Sequence, residues 1–169
     1  MRRTRCLVLA WLLLAGILMA ESPVDPRDGN GFAILVLDVP QKARESVWSE
    51  ALADVLDGEE EVSVTIGRAD ILTDHYVVEV DRFRKFHEGI GQAIHYRVET
   101  GKEGVLALMV DKGQLDLDRA NYLYHKLCRP IGLRLLILVS ADTLNADRKR
   151  ALERASLQIN NGLFAKAVD

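Results

Sequence analysis

Two apolar runs most constrain the fold that this chain can adopt: Val105–Val110, which is continuous, and Leu133–Val139, in which Arg134 is the one charged residue. Neither run alternates with polar residues and both are short, as expected for strands covered on both faces. Helical patterns lie around them, at Gln41–Leu56, Leu117–Arg129 and Asp142–Ile159. The chain has 169 residues, of which 49% are hydrophobic and 28% charged, which suits one globular domain. The alternation of helices and buried strands predicts a mixed α/β fold.

The first half of this domain is predicted to hold two more strands, Phe32–Asp38 and Val62–Ile66. The triplet Glu59–Glu61 is predicted to be a charged turn leading into the second of them. On the helix at Gln41–Leu56, the predicted buried side chains are Val47, Trp48, Ala51, Leu52 and Val55. Gly101 is predicted to end the central helix of the chain at a position of positive φ.

Residues 68–96 predict a β-hairpin that runs into an amphipathic helix. Asp70 lies in a short apolar strand, Thr73–His75 form the turn, and Tyr76–Asp81 return as a strand rich in β-branched residues. Side chains alternate along a strand, so Glu79 and Asp81 share one face. If Asp70 lies opposite them, three carboxylates meet in one patch. Such a patch requires a cation, solvent or raised pKa values to relieve the repulsion.

The helix that follows presents two stripes of residues. The apolar stripe, which should pack on the sheet, consists of Phe86, Ile90, Ala93 and Ile94. Lys85, Gln92 and Tyr96 lie on a separate stripe, at spacings of seven and four residues. Gly89 and Gly91 each cost helix stability, about 1 kcal/mol relative to alanine, which indicates a close approach of the helix to the sheet.

These residues resemble the pattern of the PD-(D/E)XK nuclease superfamily, which includes Holliday-junction resolvases, RecB-like exonucleases and many restriction enzymes. Asp70 matches the first acid of the pattern and Glu79 the second. The spacing Gln92-x-x-x-Tyr96 matches the Gln-x-x-x-Tyr element of the RecB-like members. The stretch also resembles small bacterial proteins of that superfamily, and the resemblance covers about residues 42–140.

The resemblance implies a restriction-endonuclease-like α/β fold, with a mixed central sheet flanked by helices. Its αβββαβ core would be followed by a C-terminal helix-strand-helix. It also implies metal-dependent hydrolysis of phosphodiesters in nucleic acid, with Mg²⁺ or Mn²⁺ as cofactor. The implied metal ligands are Asp70, Glu79 and Asp81. The other implied site residues are Lys85, which would position the attacking water, and Gln92 and Tyr96, which would hold the site or the nucleic-acid backbone.

One position departs from the superfamily pattern, because Asp81 stands where active members have a lysine. Lys85, one helical turn further on, could reach back and replace that lysine. The alternative is a catalytically inactive nuclease-fold protein with a binding or structural role. Superfamily members often add a glutamate from the preceding helix, for which Glu45 and Glu50 are both candidates.

The first 20 residues have the pattern of a signal peptide. Arg2, Arg3 and Arg5 precede the apolar run Leu7–Met19, and Ala20-Glu21 is a plausible cleavage point. The run is short for a membrane span, which needs about 20 residues. We therefore expect export to the periplasm or the outside of the cell, although an uncleaved anchor is the alternative. Residues 21–31 are predicted to be a flexible leader and residues 32–169 a single domain.

Charge and cysteine content limit the classes of function. Without the three arginines of residues 1–20, 19 basic residues stand against 25 acidic ones, a net charge of −6. This balance disfavours tight nonspecific binding to nucleic acid, although Arg82, Arg84 and Lys85 form a local basic cluster beside the predicted site. Cys128 would be the one cysteine left after cleavage, and its apolar surroundings predict a buried structural thiol.

Overall fold

The computed structural model describes residues 32–110 and 117–144. The predicted signal peptide at residues 1–20, the leader at residues 21–31 and nearly all of the predicted helix Asp142–Ile159 lie outside these ranges. The described beginning of that last segment, Ala141–Thr143, is a short 3₁₀ turn. In the described residues the chain forms a six-stranded mixed sheet with helices on both faces, so the mixed α/β prediction is confirmed.

The described residues form six strands and three α-helices. The strands and helices are β1 (Ala33–Leu37), α1 (Glu45–Leu56), β2 (Glu59–Ser63), β3 (Arg68–Leu72), β4 (Tyr76–Arg82), α2 (Phe86–Thr100), β5 (Glu103–Met109), α3 (Leu117–Leu123) and β6 (Arg134–Ser140). Shorter helical turns lie at Phe83–Lys85, Tyr124–Cys128 and Arg129–Ile131. The sheet order is β1-β6-β5-β4-β3-β2. Strands β1, β6, β5 and β4 run parallel to one another. Strand β3 is antiparallel to both of its neighbours, β4 and β2.

The two apolar runs are confirmed as central strands whose alternate residues face opposite layers. On β5, Ala107 packs in the same cluster as Trp48 of α1. Its neighbours Leu106 and Leu108 face the other way and pack with Ala93 of α2. Because both faces are covered, each position along the strand must be apolar, and no polar alternation is left in the sequence.

Helix α2 lies on the sheet by its predicted apolar stripe. Ala93 is buried there, and the partly buried members of the stripe are Phe86, Ile90 and Ile94. Gly89 permits the close approach, since a Cβ at this position would lie 2.7 Å from Leu106 Cδ1. The same explanation is wrong for Gly91, where an added Cβ would meet nothing within 4 Å. Gly101 ends the helix with φ of 68°, as predicted.

Strand β2 differs from the sequence prediction in both its position and its residues. Glu59–Glu61 belong to the strand rather than to a turn, and the predicted strand Val62–Ile66 ends early, at Ser63. β2 is at the end of the strand order, where its side chains are mostly exposed. An edge strand of this kind needs no apolar pattern, so its sequence did not identify it.

Two predicted helices also differ at their boundaries. α1 begins at Glu45 rather than at Gln41, and Val47 and Val55, which we expected to be buried, are exposed. The helix predicted over Leu117–Arg129 is α-helical only to Leu123 and then widens into a π-helical turn. In the part of the chain that the structure covers, no helix is long and apolar enough to cross a membrane.

Candidate functional site

Strands β3 and β4 separate at Asp70. Their ladder pairs Leu72 with Val77 and Ile71 with Val78. Where the next pair would follow, Asp70 Oδ2 instead accepts a hydrogen bond of 2.7 Å from the backbone N–H of Val80. The half-buried carboxylate thus takes the place of a backbone carbonyl, and it is fixed at the point where the strands part.

Glu79 and Asp81 are buried on β4, with 5% and 4% of their surface exposed. They alternate with Val78 and Val80, which pack in the cluster under α1, so the two acids face the α2 side of the sheet. Gly89 lies against them, because a Cβ there would be 3.4 Å from Asp81 Cβ. The prediction that Glu79 and Asp81 share one face is therefore confirmed.

Burial and mutual repulsion raise the pKa values of the acids at this site. Burial raises the pKa of Glu79 to about 9, and the charges of Asp70, Asp81 and Glu45 add to this effect. Burial also raises the pKa of Asp70 to about 6, against the opposing hydrogen bond from Val80. The pKa of Asp81 is raised by burial as well. Without a cation, a full set of negative charges at this site is thus strongly disfavoured.

Of the two glutamates proposed on α1, Glu45 belongs to this acidic cluster. It is the first residue of the helix, and its pKa is raised first by burial and then by the charge of Asp81. Its own charge raises the pKa values of Asp70 and Glu79. Both glutamates are exposed, but Glu50 lies further along the helix and is not among the charges that act on those acids. We call Glu45, Asp70, Glu79 and Asp81 the acidic cluster.

Lys85 and Arg82 are both cations whose charges act on Asp81 and Glu45, and the effect of Lys85 is the larger. Lys85 ends the short turn after β4, where its side chain is exposed. Its positive charge lowers the pKa values of both Asp81 and Glu45. The ammonium also lies 3.6 Å from Glu88 Oε2, one turn along the chain. Lys85 therefore acts electrostatically on the cluster while it is shared with an exposed glutamate.

Tyr96 and Gln92 form the far side of the site. Tyr96 is buried beside Ala69 and Val77, and its hydroxyl receives hydrogen bonds from the Arg68 backbone and the Gln92 side chain. Burial raises its pKa, and the charge of Glu79 contributes further. Gln92 itself is exposed. The predicted stripe of Lys85, Gln92 and Tyr96 is thus divided into two exposed residues and one buried residue.

Residues 32–110 and 117–144 contain no group of three His, Cys, Asp or Glu side chains arranged to hold a metal ion. Two histidines of α2 have other contacts: His87 stacks on Phe86, and His95 Nε2 lies 2.7 Å from the Ile66 carbonyl oxygen. Cys128 is fully buried, which raises its pKa to about 11 and confirms a structural thiol.

One residue near the site was missed by sequence reasoning. Arg119, on α3, lies with its Cζ 5.1 Å from the centre of the Phe83 ring, in the turn that follows Asp81 and Arg82. The two residues are far apart in the chain and share no local spacing, so only the fold joins them.

Comparison of the chain with family models, with curated proteins and with solved structures finds no match.

Proposed function

We propose that this chain is an exported, metal-dependent nuclease of the PD-(D/E)XK superfamily, with a restriction-endonuclease-like fold. The order α1-β2-β3-β4-α2-β5 corresponds to the αβββαβ core that the sequence resemblance implies, and α3 and β6 follow it. The proposed reaction is hydrolysis of phosphodiester bonds in nucleic acid.

The observation that carries this proposal is the acidic cluster where β3 and β4 part. Its members come from three elements, and their pKa values are raised above the ordinary range. A protein gains no stability by burying like charges in this way, so a ligand that favours their ionised forms explains the arrangement better. Hard divalent cations prefer carboxylate oxygen ligands.

The described residues hold no preformed group of three metal-ligating side chains, so the proposed cation is one that needs few protein ligands. Mg²⁺ keeps several waters and is commonly held by one or two carboxylates together with substrate phosphates. Asp70 and Glu79 would be the principal ligands, with Asp81 as an added one and Glu45 completing the surroundings. The bound cation would supply charge stabilisation at the phosphate and acidify a water molecule.

The chain's own residues would orient the reactants. Lys85 would position the attacking water from the exposed side of the acidic cluster. It would thereby take the role of the superfamily lysine, whose position is occupied by Asp81 in this chain. Tyr96, held by Gln92, would keep the inner wall of the site rigid next to Glu79. The hydrogen bond from Val80 would keep the Asp70 carboxylate in position.

A catalytically inactive nuclease-fold protein is the second candidate, and the observation that favours it is Asp81 at the lysine position. One assay separates the two candidates. Purified protein is incubated with labelled single- and double-stranded DNA, in Mg²⁺, in Mn²⁺ and in chelator. Metal-dependent cleavage that falls at least about 100-fold in Asp70→Asn and Lys85→Ala proteins is the expected result.

The chain offers a matched control for the acidic cluster. Glu45→Gln should reduce cleavage, while Glu50→Gln, on the same helix but outside the cluster, should leave it unchanged. Cleavage that survives Asp70→Asn would indicate a contaminating nuclease. A folded protein that cleaves under none of these conditions would replace the nuclease proposal with the binding or structural role.

A further inference from the structure

A mixed basic and aromatic surface adjoins the acidic cluster on the side of α2 and α3. It begins with the turn Phe83–Lys85, two residues after Asp81, and continues into the first residues of α2. Arg119 joins it from α3. We call Phe83, Phe86, His87 and Arg119, together with the cations Arg84 and Lys85, the stacking patch.

Two planar groups in the stacking patch are each backed by a phenylalanine ring. The guanidinium carbon of Arg119 lies 5.1 Å from the centre of the Phe83 ring. The His87 ring lies 3.7 Å from the Phe86 ring, centre to centre, at an interplanar angle of 30°. Phe83 and Phe86 are half-buried against the core, whereas Arg119 and His87 are exposed. Each phenylalanine thus supports a flat polar group on the protein surface.

Flat, supported groups of this kind are suited to unpaired nucleobases. Arginine planes and aromatic side chains, histidine included, stack on bases of single-stranded nucleic acid, largely without regard to sequence. In a duplex the base faces are already stacked on one another, so the same groups would gain less. Phosphates of the strand would meet Arg84 and Lys85, which lie between Phe83 and Phe86 in the chain.

Local charge also favours stacking over phosphate contacts as the source of binding. Glu88 lies 3.6 Å from the Lys85 ammonium, and Asp118 directly precedes Arg119. The chain as a whole carries more acidic than basic residues. Binding through phosphates alone would therefore be weak and would decrease steeply with salt, whereas stacking is much less sensitive to salt.

From this juxtaposition we propose that the stacking patch binds unpaired nucleobases and thereby brings a single-stranded nucleic acid to the acidic cluster. The inference rests on the proposed function for the chemistry at the acidic cluster, but it concerns binding alone. Arg119 and His87 are the base-stacking residues, and the preferred substrate is a single strand rather than a duplex.

Fluorescence anisotropy tests this proposal in chelator, where no metal-dependent cleavage occurs. The probes are an oligothymidylate of about 12 nucleotides, an abasic strand of the same length, the matching duplex and an oligouridylate. The oligothymidylate should bind about tenfold or more tightly than the abasic strand or the duplex. The oligouridylate should also bind more tightly than the abasic strand, because uracil offers a base face for stacking as well.

Variants separate stacking from charge. Arg119→Ala and His87→Ala should each weaken oligothymidylate binding about fivefold or more. Arg119→Ala also removes a charge, so it should weaken abasic-strand binding slightly, whereas His87→Ala should leave that binding almost unchanged. Arg119→Lys keeps the charge but loses the plane, so it should weaken oligothymidylate binding and leave abasic-strand binding unchanged. Lys102→Ala and His75→Ala are matched controls, because both residues lie near the start of β4, at the opposite end of that strand from the patch.

Equal binding of the oligothymidylate and abasic strands would overturn the proposal, as would wild-type affinity in Arg119→Lys. The absence of any binding would overturn it too. Because affinity is measured without metal, failure of the cleavage assay leaves this result unaffected. A chain that binds single strands by stacking but never cleaves them would be a binding module, with the stacking patch intact and the nuclease proposal rejected.

Discussion

The carboxylate of Asp70 and the backbone N–H of Val80 are joined by a hydrogen bond of 2.7 Å where the next pair of the β3–β4 ladder would lie. Val80 is fully buried in the folded chain, where Asp70 supplies the acceptor for its N–H. The bond holds Asp70 in place through the backbone, independently of any cation. Asp70 therefore has a structural role in addition to its proposed role as a metal ligand, and the two roles can be tested separately.

Asp70→Ala removes the acceptor and leaves the buried N–H of Val80 unsatisfied, which should cost about 1–3 kcal/mol in the free energy of unfolding. Asp70→Asn keeps an oxygen that can accept the same bond. Since the asparagine side chain also lacks a charge that burial disfavours, Asp70→Asn should be at least as stable as the wild type at neutral pH, while cleavage is lost in both variants. Urea denaturation followed by circular dichroism measures the difference. Equal stability of the two variants would show that the bond contributes little.

Glu79 should make the stability of the metal-free protein depend on pH. Its pKa is raised to about 9 from the ordinary value of 4.5, so above about pH 4.5 the folded chain retains a proton that the unfolded chain releases. The free energy of unfolding should accordingly fall as the pH rises from about 4.5 to about 9. Asp70, with a pKa of about 6, should add a smaller fall that is complete at lower pH.

Glu79→Gln removes the ionisable group at almost constant shape. At pH 8 this variant should be more stable than the wild type by an amount on the order of 1–3 kcal/mol, and at about pH 4 the two should be nearly equal. Urea titrations in chelator at several pH values provide the comparison. A wild-type stability that rises between pH 5 and pH 8, with no change in Glu79→Gln, would contradict the raised pKa.

Divalent cations should stabilise the folded protein if the acidic cluster holds them. A ligand that binds only the folded chain adds about 2.7 kcal/mol when its concentration is 100 times its Kd. Mg²⁺ and Mn²⁺ should therefore raise the Tm of the wild type, and the increase should be larger at pH 8 than at pH 5, where the acids hold protons. Asp70→Asn and Glu79→Gln should show little of this increase. Calorimetric scans with and without metal test the prediction, and an identical shift in these variants would place the cation elsewhere.

Gly89 and Gly91 provide a matched pair on one helix. Gly89→Ala would set a Cβ 2.7 Å from Leu106 Cδ1 in the fully buried core, so it should destabilise the protein by about 1 kcal/mol or more despite its better helix propensity. It should also displace Asp81, whose Cβ is 3.4 Å away, and reduce cleavage.

Gly91→Ala meets no atom within 4 Å and should stabilise the helix by about 0.5–1 kcal/mol, with cleavage unchanged. Thermal and urea unfolding of both variants measure the contrast. Destabilisation of similar size at the two positions would refute the account of how α2 approaches the sheet.

The interior of the fold could be predicted from the sequence because its residues obey strong packing rules. The central strands β5 and β6 are covered on both faces, so their apolar runs identified them directly. The edge strand β2 was missed for the opposite reason, since exposed glutamates carry no period that distinguishes a strand from a turn. On α1, five apolar residues suggested a wide buried face, but the helix contacts the sheet over a narrower one that leaves Val47 and Val55 outside.

The acidic site was predictable where it depends on local geometry and unpredictable where it depends on the whole fold. Alternation along β4 placed Glu79 and Asp81 together correctly. The choice between Glu45 and Glu50 needed the position of α1 relative to the sheet, which one sequence does not contain. The approach of Arg119 to Phe83 was likewise invisible, because it depends on the packing of two segments distant in the chain.

The glutamates of β2 have a practical consequence for handling the protein. An edge strand offers its backbone groups to any strand that it meets, and charged side chains discourage such an encounter. Glu59, Glu60 and Glu61 place like charges along this edge, so two molecules that approach edge to edge repel each other. Dissolved salt screens repulsion between exposed charges. Buffers of low ionic strength are therefore the safer choice during purification and storage.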